Sequence, residues 1–171
     1  QTAEKIVSRE AKVVVVGLGY VGLPLCIEFA KVGFNTTGID INSAKVESLN
    51  QGQSYILDIK DTDLKLCLEK KKFKAVQDYS QLKEADVIII CVPTPLNKTR
   101  EPDVSYIIAV GEQIARYIRK GQVIILESTT YPGTTEEVIL PMLERNGGKV
   151  GEDFCLAFSP ERIDPGNKNF S

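Results

Sequence analysis

A doubly wound α/β fold, with a mostly parallel sheet of about six strands and helices on both faces, is what this sequence predicts. Three observations carry that prediction. A β-branched run, Val13-Val-Val-Val16, enters Gly17-x-Gly19-x-x-Gly22, and an apolar helical pattern follows at once. A second hydrophobic run ends on an acidic residue, Asp40. Further short apolar runs recur to the end of the chain, with helix-period patterns between most of them. Strands alternating with helices imply a parallel sheet covered on both faces, the Rossmann arrangement. With 171 residues, no internal repeat and no linker-like tract, the chain (1–171) reads as one domain.

Taken in order, residues 2–10 read as a short polar helix docked through Ile6 and Val7. Strands are predicted at 12–16, 36–39, 73–76, 87–92, 123–126 and 154–158. A helix over 61–71 builds its apolar side on Leu64, Cys67 and Leu68. The clearest helix runs over 103–120, with Val104, Ile107, Ile108, Gly111, Ile114, Ala115 and Ile118 on one stripe. Asp103 is its expected N-cap, Arg119 and Lys120 suit the negative end of the dipole, and Gly121 supplies the stop. A last helix spans 135–145, closed by Asn146-Gly-Gly148; Pro141 must bend it or sit where a hydrogen bond is dispensable.

Composition narrows the chemistry. The chain is 43% hydrophobic and 26% charged with a net charge of −2, so a basic field for nucleic acid or membrane surfaces is disfavoured. No apolar run is long enough to span a bilayer and the polar start is no signal peptide, which points to the cytoplasm. Histidine is absent, which removes Ser/His/Asp and Cys/His mechanisms and His-bearing zinc sites within these residues. Cys26, Cys67, Cys91 and Cys155 form no C-x-x-C pair, and each sits in an apolar pattern where a thiol acts as a small hydrophobe.

The glycine run has a mechanical reading. Gly17 allows the tight turn out of the strand, Gly19 lets backbone approach a pyrophosphate, and Gly22 lets the following helix pack closely. The helix start then offers free N–H groups to a diphosphate, with Pro24 in the first turn where its missing donor costs little. Asp40 lies near the roughly twenty-residue spacing expected of a carboxylate that accepts from both ribose hydroxyls. A 2′-phosphate there would meet like charge and Ile41 offers no guanidinium, so NAD is favoured over NADP.

Ligands of such sheets bind beyond the carboxyl ends of the strands, and three more of those ends carry unusual loops. They are Cys91-Val-Pro-Thr-Pro95, the hydroxyl-rich Glu127-Ser-Thr-Thr-Tyr-Pro-Gly-Thr-Thr135, and Ser159-Pro-Glu-Arg-Ile-Asp-Pro-Gly166. Each alone fits ordinary turn and cap chemistry; together, on the edge that carries the glycine loop, they suggest a reaction centre. Glu161 and Asp164 are the candidate proton-transfer groups, although Asp-Pro-Gly is also a common turn and Arg162 suits a salt bridge as well as a substrate contact.

From Lys12 to Ser171 the chain resembles the NAD-binding domain of the UDP-glucose/GDP-mannose dehydrogenase family. The resemblance rests on GLGYVGLPL (17–25), Asp40-x-Asn42-x-x-Lys45, CVPTPL (91–96), ESTTYPGTT (127–135) and FSPERIDPGN (158–167). The Ser-Pro-Glu-Arg-x-Asp-Pro-Gly variant looks more like members acting on UDP-N-acetylglucosamine or related N-acetylhexosamines. The resemblance implies oxidation of a sugar C6 alcohol to a uronic acid in two NAD-dependent hydride transfers, feeding polysaccharide synthesis, with a cysteine of a later domain capturing the aldehyde. It places Gly17, Gly19, Tyr20, Val21 and Gly22 along the pyrophosphate and Asp40 and Lys45 at the adenosine end. Val92, Pro93, Thr94, Ser128 and Thr129 fall along the nicotinamide side. Thr129 and Glu161 match positions that orient a catalytic water or assist proton transfer, with Thr130 a rival for the first role. Pro165 stands where UDP-glucose dehydrogenases carry a second glutamate, for which Asp164 is the only nearby substitute. By the same resemblance the family's dimer-forming central helix, its sugar-binding domain and its nucleophilic cysteine lie outside these residues. The expectation is therefore an NAD-binding domain inactive by itself, part of a homo-oligomeric enzyme that takes a UDP-sugar. The rival readings are the cofactor domain of a β-hydroxyacid-type dehydrogenase and a non-catalytic NAD-sensing domain.

Overall fold

The structure, a computed structural model, describes residues 2–98, 100 and 102–160. Its strands are β1 (Lys12–Val16), β2 (Asn35–Ile39), β3 (Phe73–Val76), β4 (Val87–Ile90), β5 (Val123–Leu126) and β6 (Cys155–Phe158). They form one sheet in the order β3-β2-β1-β4-β5-β6, every pair parallel. The α-helices among the described residues are α1 (Thr2–Val7), α2 (Gly22–Lys31), α3 (Ser43–Asn50), α4 (Asp61–Glu69), α5 (Ser105–Tyr117) and α6 (Leu140–Glu144).

Side-chain alternation along the central strands decides which helices go where. Val13 and Val15 of β1, with Val87 and Ile89 of β4, face a core closed by α2, α3 and α4 through Leu23, Ile27, Leu49 and Leu64. Val14, Val16, Ile88 and Ile90 face the opposite core, closed by α5 and α6 through Ile107, Ile114 and Leu143. Strands buried on both faces need no polar alternation, which is why β4 reads Val-Ile-Ile-Ile.

Register then aligns the strand ends. Val16 pairs with Ile39 and with Ile90, Ile90 with Leu126, and Leu126 with Phe158. The next residues, Asp40, Gly17, Cys91, Glu127 and Ser159, therefore stand in one row along the carboxyl edge, about 4.8 Å apart per strand. The chain runs outward in both directions from β1 and β4, so a crevice opens at that switch point.

Several expectations need correction. Helix α1 buries no residue, and Val7 is 85% exposed, so Ile6 and Val7 do not dock it. Polar bonds dock it instead: Lys5 Nζ reaches Asp86 at 2.9 Å and Thr2 Oγ1 donates to Gly121 O at 2.5 Å. Helix α5 starts after Asp103, whose Oδ1 accepts from Ser105 N–H, and stops at Tyr117. It does not reach residue 120, because Ile118 is extended and Arg119 N–H turns to Gln122 Oε1. Strand β4 ends at Ile90, two residues short of the predicted 92. Helix α4 ends at Glu69, before the predicted 71. Helix α3 was not expected, for it offers only Val46 and Leu49 to the core; Asn42 caps it by accepting Lys45 N–H.

Pro141 is accommodated by a π-turn over Thr135–Ile139, in which Leu140 N–H reaches back to Thr135 O. The extra residue per turn shifts the hydrogen-bond frame just before the residue that cannot donate. The reading of all four cysteines as core also fails in part. Cys26 and Cys67 are buried, but Cys91 is half-buried and Cys155 is exposed on the edge strand.

Candidate cofactor site

The crevice at the switch point is a cleft of about 490 Å³. Eleven of the twelve cofactor positions expected from sequence line it: Gly17, Gly19, Tyr20, Val21, Asp40, Lys45, Val92, Pro93, Thr94, Ser128 and Thr129. Gly22 does not. A Cβ there would sit 1.7 Å from Gly17 O and 3.2 Å from Cys91 Cβ, so Gly22 is needed to seat α2 against the loop. Gly17 has φ +96° and a virtual Cβ 2.6 Å from Cys91 O, which fixes glycine there on both counts. Around Gly19 the virtual Cβ meets nothing within 4 Å. The glycine leaves open space in the cleft itself.

No side chain caps α2 at Val21; Leu23 N–H turns back to Gly19 O and Pro24 has no donor, so Gly22 N–H is the donor of the first turn open to another acceptor. Asp40 braces the loop from the adjoining strand end. Its Oδ2 accepts Leu18 N–H at 3.0 Å and its Oδ1 accepts Asn42 N–H at 2.9 Å. Each carboxylate oxygen keeps a further lone pair for a ribose hydroxyl. Lys45, on the first turn of α3, holds its ammonium 5.3 Å from the centre of the Tyr55 ring.

The opposite wall is cross-braced. Ser128 is buried, and its Oγ donates to Val92 O at 2.8 Å, tying the β5 end to the β4 end. The Thr94 hydroxyl donates to Thr129 O. Thr129 is exposed in the cleft, whereas the Thr130 hydroxyl is paired with Thr134 Oγ1 at 2.7 Å and lies outside the cleft lining. Of the two threonines, Thr129 is the one in the cleft lining. Glu161, Arg162 and Asp164 lie outside the described residues; Ser159, which starts their loop, is in the strand-end row.

The sequence reading missed Leu18, Tyr55, Ile56, Cys91 and Glu127 as lining residues. Leu18, Cys91 and Glu127 lie inside quoted motifs, and the register row places them in the cleft. One signal for Leu18 was available: Gly38 interrupts β2 because the Leu18 side chain packs over it, 2.5 Å from a virtual Cβ. Tyr55 and Ile56 come from the segment between α3 and α4 and belong to no spacing rule.

A dinucleotide fits this arrangement. The chain offers a glycine turn with space at Gly19, an uncapped helix start, a carboxylate at the second strand end, and braced hydroxyl loops across the switch point. Among the described residues no group of three or more Cys, Asp or Glu is placed to hold an ion. Also among them, no helix is long and apolar enough to cross a membrane.

Residues 11–170 match the model of the UDP-glucose/GDP-mannose dehydrogenase family, NAD binding domain. The chain is 42% identical over 161 residues to a UDP-N-acetyl-D-glucosamine 6-dehydrogenase of Pseudomonas aeruginosa, covering 94% of this chain and 37% of that protein. A UDP-N-acetyl-mannosamine dehydrogenase structure from Staphylococcus aureus superposes with a TM-score of 0.84 at 38% identity, over 91% of this chain and 38% of that one. A GDP-mannose dehydrogenase from P. aeruginosa gives 0.85 at 30% identity, over 90% and 36%. The chain thus spans a little over a third of the length of these relatives. It belongs to the UDP-glucose/GDP-mannose dehydrogenase family, as an NAD-binding domain of that family.

Proposed function

We propose that the protein carrying this chain oxidises the C6 alcohol of a UDP-N-acetylhexosamine to the uronic acid in two NAD-dependent steps. The observation that carries the proposal is the 42% identity to a protein named for that reaction on UDP-N-acetyl-D-glucosamine. A UDP-N-acetyl-D-mannosamine dehydrogenase of Pyrococcus horikoshii, at 38% identity, supports the same N-acetylhexosamine class. These 171 residues form the cofactor domain, and the remaining parts of a homo-oligomeric, cytoplasmic enzyme supply the sugar site.

Bound NAD supplies the hydride acceptor for each oxidation. The residues here bind and orient it. Backbone N–H groups of the Gly19–Gly22 segment at the α2 start hold the diphosphate, and Asp40 with Lys45 holds the adenosine ribose. Val92, Pro93 and Thr94 wall the nicotinamide side, where Ser128 fixes the spacing of the two loops. Thr129 and Glu161 are assigned to orienting water or moving a proton at the reacting carbon. Burial, and then the neighbouring Cys91, push the Cys26 thiol well above its ordinary range, which suits packing and not nucleophilic attack.

The test is NADH formation by the complete protein with UDP-N-acetylglucosamine, UDP-N-acetylmannosamine, UDP-N-acetylgalactosamine, UDP-glucose and GDP-mannose. Two NADH per N-acetylhexosamine is the expected result. Preference for UDP-glucose or GDP-mannose would overturn the substrate class, and turnover by these 171 residues alone would overturn the division of labour.

A further inference from the structure

Tyr55 lies far in sequence from the glycine turn yet reaches into it. Its hydroxyl donates to Leu18 O at 2.5 Å, and its half-buried ring lines the cleft beneath the Lys45 ammonium. Leu18 itself is fully buried as a side chain, and its N–H is already taken by Asp40. Both polar groups of Leu18 are thus held by side chains from other elements.

The peptide that matters is Leu18–Gly19. It ends in glycine, whose lack of a Cβ widens the φ values open to a turned-over peptide. In a trans peptide the N–H and C=O point opposite ways, so turning this one over would put Leu18 C=O where Gly19 N–H now points. A carbonyl there repels a diphosphate, whereas an N–H binds it. The Tyr55 hydroxyl is the contact that holds Leu18 C=O in its present direction.

We propose that Tyr55 is a positioning residue of the cofactor site, a latch that keeps the Leu18–Gly19 peptide in its diphosphate-binding orientation while its ring carries Lys45 at the adenosine end. The proposal rests on the NAD-binding reading and names a residue outside the glycine fingerprint and the Asp40 spacing. Burial, followed by the charge of Asp40, pushes the phenol above its ordinary range, so the hydroxyl stays a donor across the physiological range. A latch acts on ligands with a diphosphate and leaves a bare nucleoside alone.

The experiment compares the 171-residue chain with its Tyr55→Phe variant for binding of NAD, ADP and adenosine, by calorimetry and by amide-shift titration for the weak nucleoside. Loss of one hydrogen bond to a buried acceptor predicts about tenfold weaker NAD and ADP binding with adenosine affinity unchanged. Retained adenosine binding also reports that the variant is folded. Equal NAD affinity in the two proteins would overturn the latch, as would equal losses for ADP and adenosine. Failure of the wild-type chain to bind either NAD or ADP would overturn the cofactor reading and the latch together.

Discussion

Replacing Asp40 with alanine perturbs the cofactor site where loop structure and ligand chemistry meet. The carboxylate accepts Leu18 N–H at 3.0 Å and Asn42 N–H at 2.9 Å, and it faces the cleft between them. Hydrogen bonds to a charged acceptor are each worth about 1.5–3 kcal/mol when buried, and less here because Asp40 is half-exposed. Losing both should cost about 2 kcal/mol of stability, a drop of roughly 5 °C in melting temperature for a chain of this size. Losing two ribose hydroxyl contacts should cost about 3 kcal/mol of binding, or about two orders of magnitude in the NAD dissociation constant. NADP should behave differently, since its 2′-phosphate gains from removal of like charge what it loses in loop order. Calorimetry with both cofactors on wild type and Asp40→Ala therefore predicts a strong NAD preference that collapses to within about tenfold. An NAD affinity unchanged within twofold, or an NAD-to-NADP ratio that survives the substitution, would refute the reasoning.

Two glycines of the same turn should both lose binding but differ in stability. Gly19→Ala places its Cβ in open space, so the melting temperature should hold while NAD binding is lost, because the methyl occupies the diphosphate approach. Gly22→Ala drives its Cβ to 1.7 Å from Gly17 O, so it should lower stability by about 2 kcal/mol along with binding, as parallel melting curves and titrations would show. At the far edge of the sheet, Asp86 is buried and accepts Lys12 N–H at 3.0 Å, Lys5 at 2.9 Å and Arg119 at 3.1 Å. Asp86→Ala should cost about 2–3 kcal/mol in chemical denaturation, with NAD affinity preserved in the folded fraction. Burial raises the Asp86 pKa, but the Lys12, Lys5 and Arg119 contacts outweigh it and leave it below the ordinary carboxylate value. Its stabilising contribution is therefore present above about pH 4 and is lost as pH falls through the lower folded value, so Asp86→Asn should flatten the acid limb of the stability curve.

The strands and the glycine turn were legible because each follows from short-range rules. A β-branched run, a tight turn and a 3.6-residue apolar stripe all declare themselves within a few residues. Parallel register then did the rest: once β1 and β4 pair, Gly17 and Cys91 must stand side by side. What escaped was whatever depends on contacts remote in sequence. Helix α1 is held by Asp86, 81 residues from Lys5, and no apolar pattern announces an ion pair. Tyr55 reaches Leu18 across 37 residues from a segment without periodicity. Helix α3 buries only Val46 and Leu49 and was hidden by its polarity. The end of α5 shows a different failure, because the stripe continues to Ile118 while Arg119 and Gln122 bond elsewhere and stop the helix.

The central claim is that the cleft between the β1 and β4 ends holds NAD across its whole length. Amide-shift mapping of the 171-residue chain during NAD titration tests it most directly. Saturable shifts at Gly17, Gly19, Asp40, Lys45, Thr94, Ser128 and Thr129, with none on the opposite edge around Asp86 and Gly121, are the predicted result. Saturable shifts centred away from the strand-end row, or no saturation with NAD at all, would contradict it.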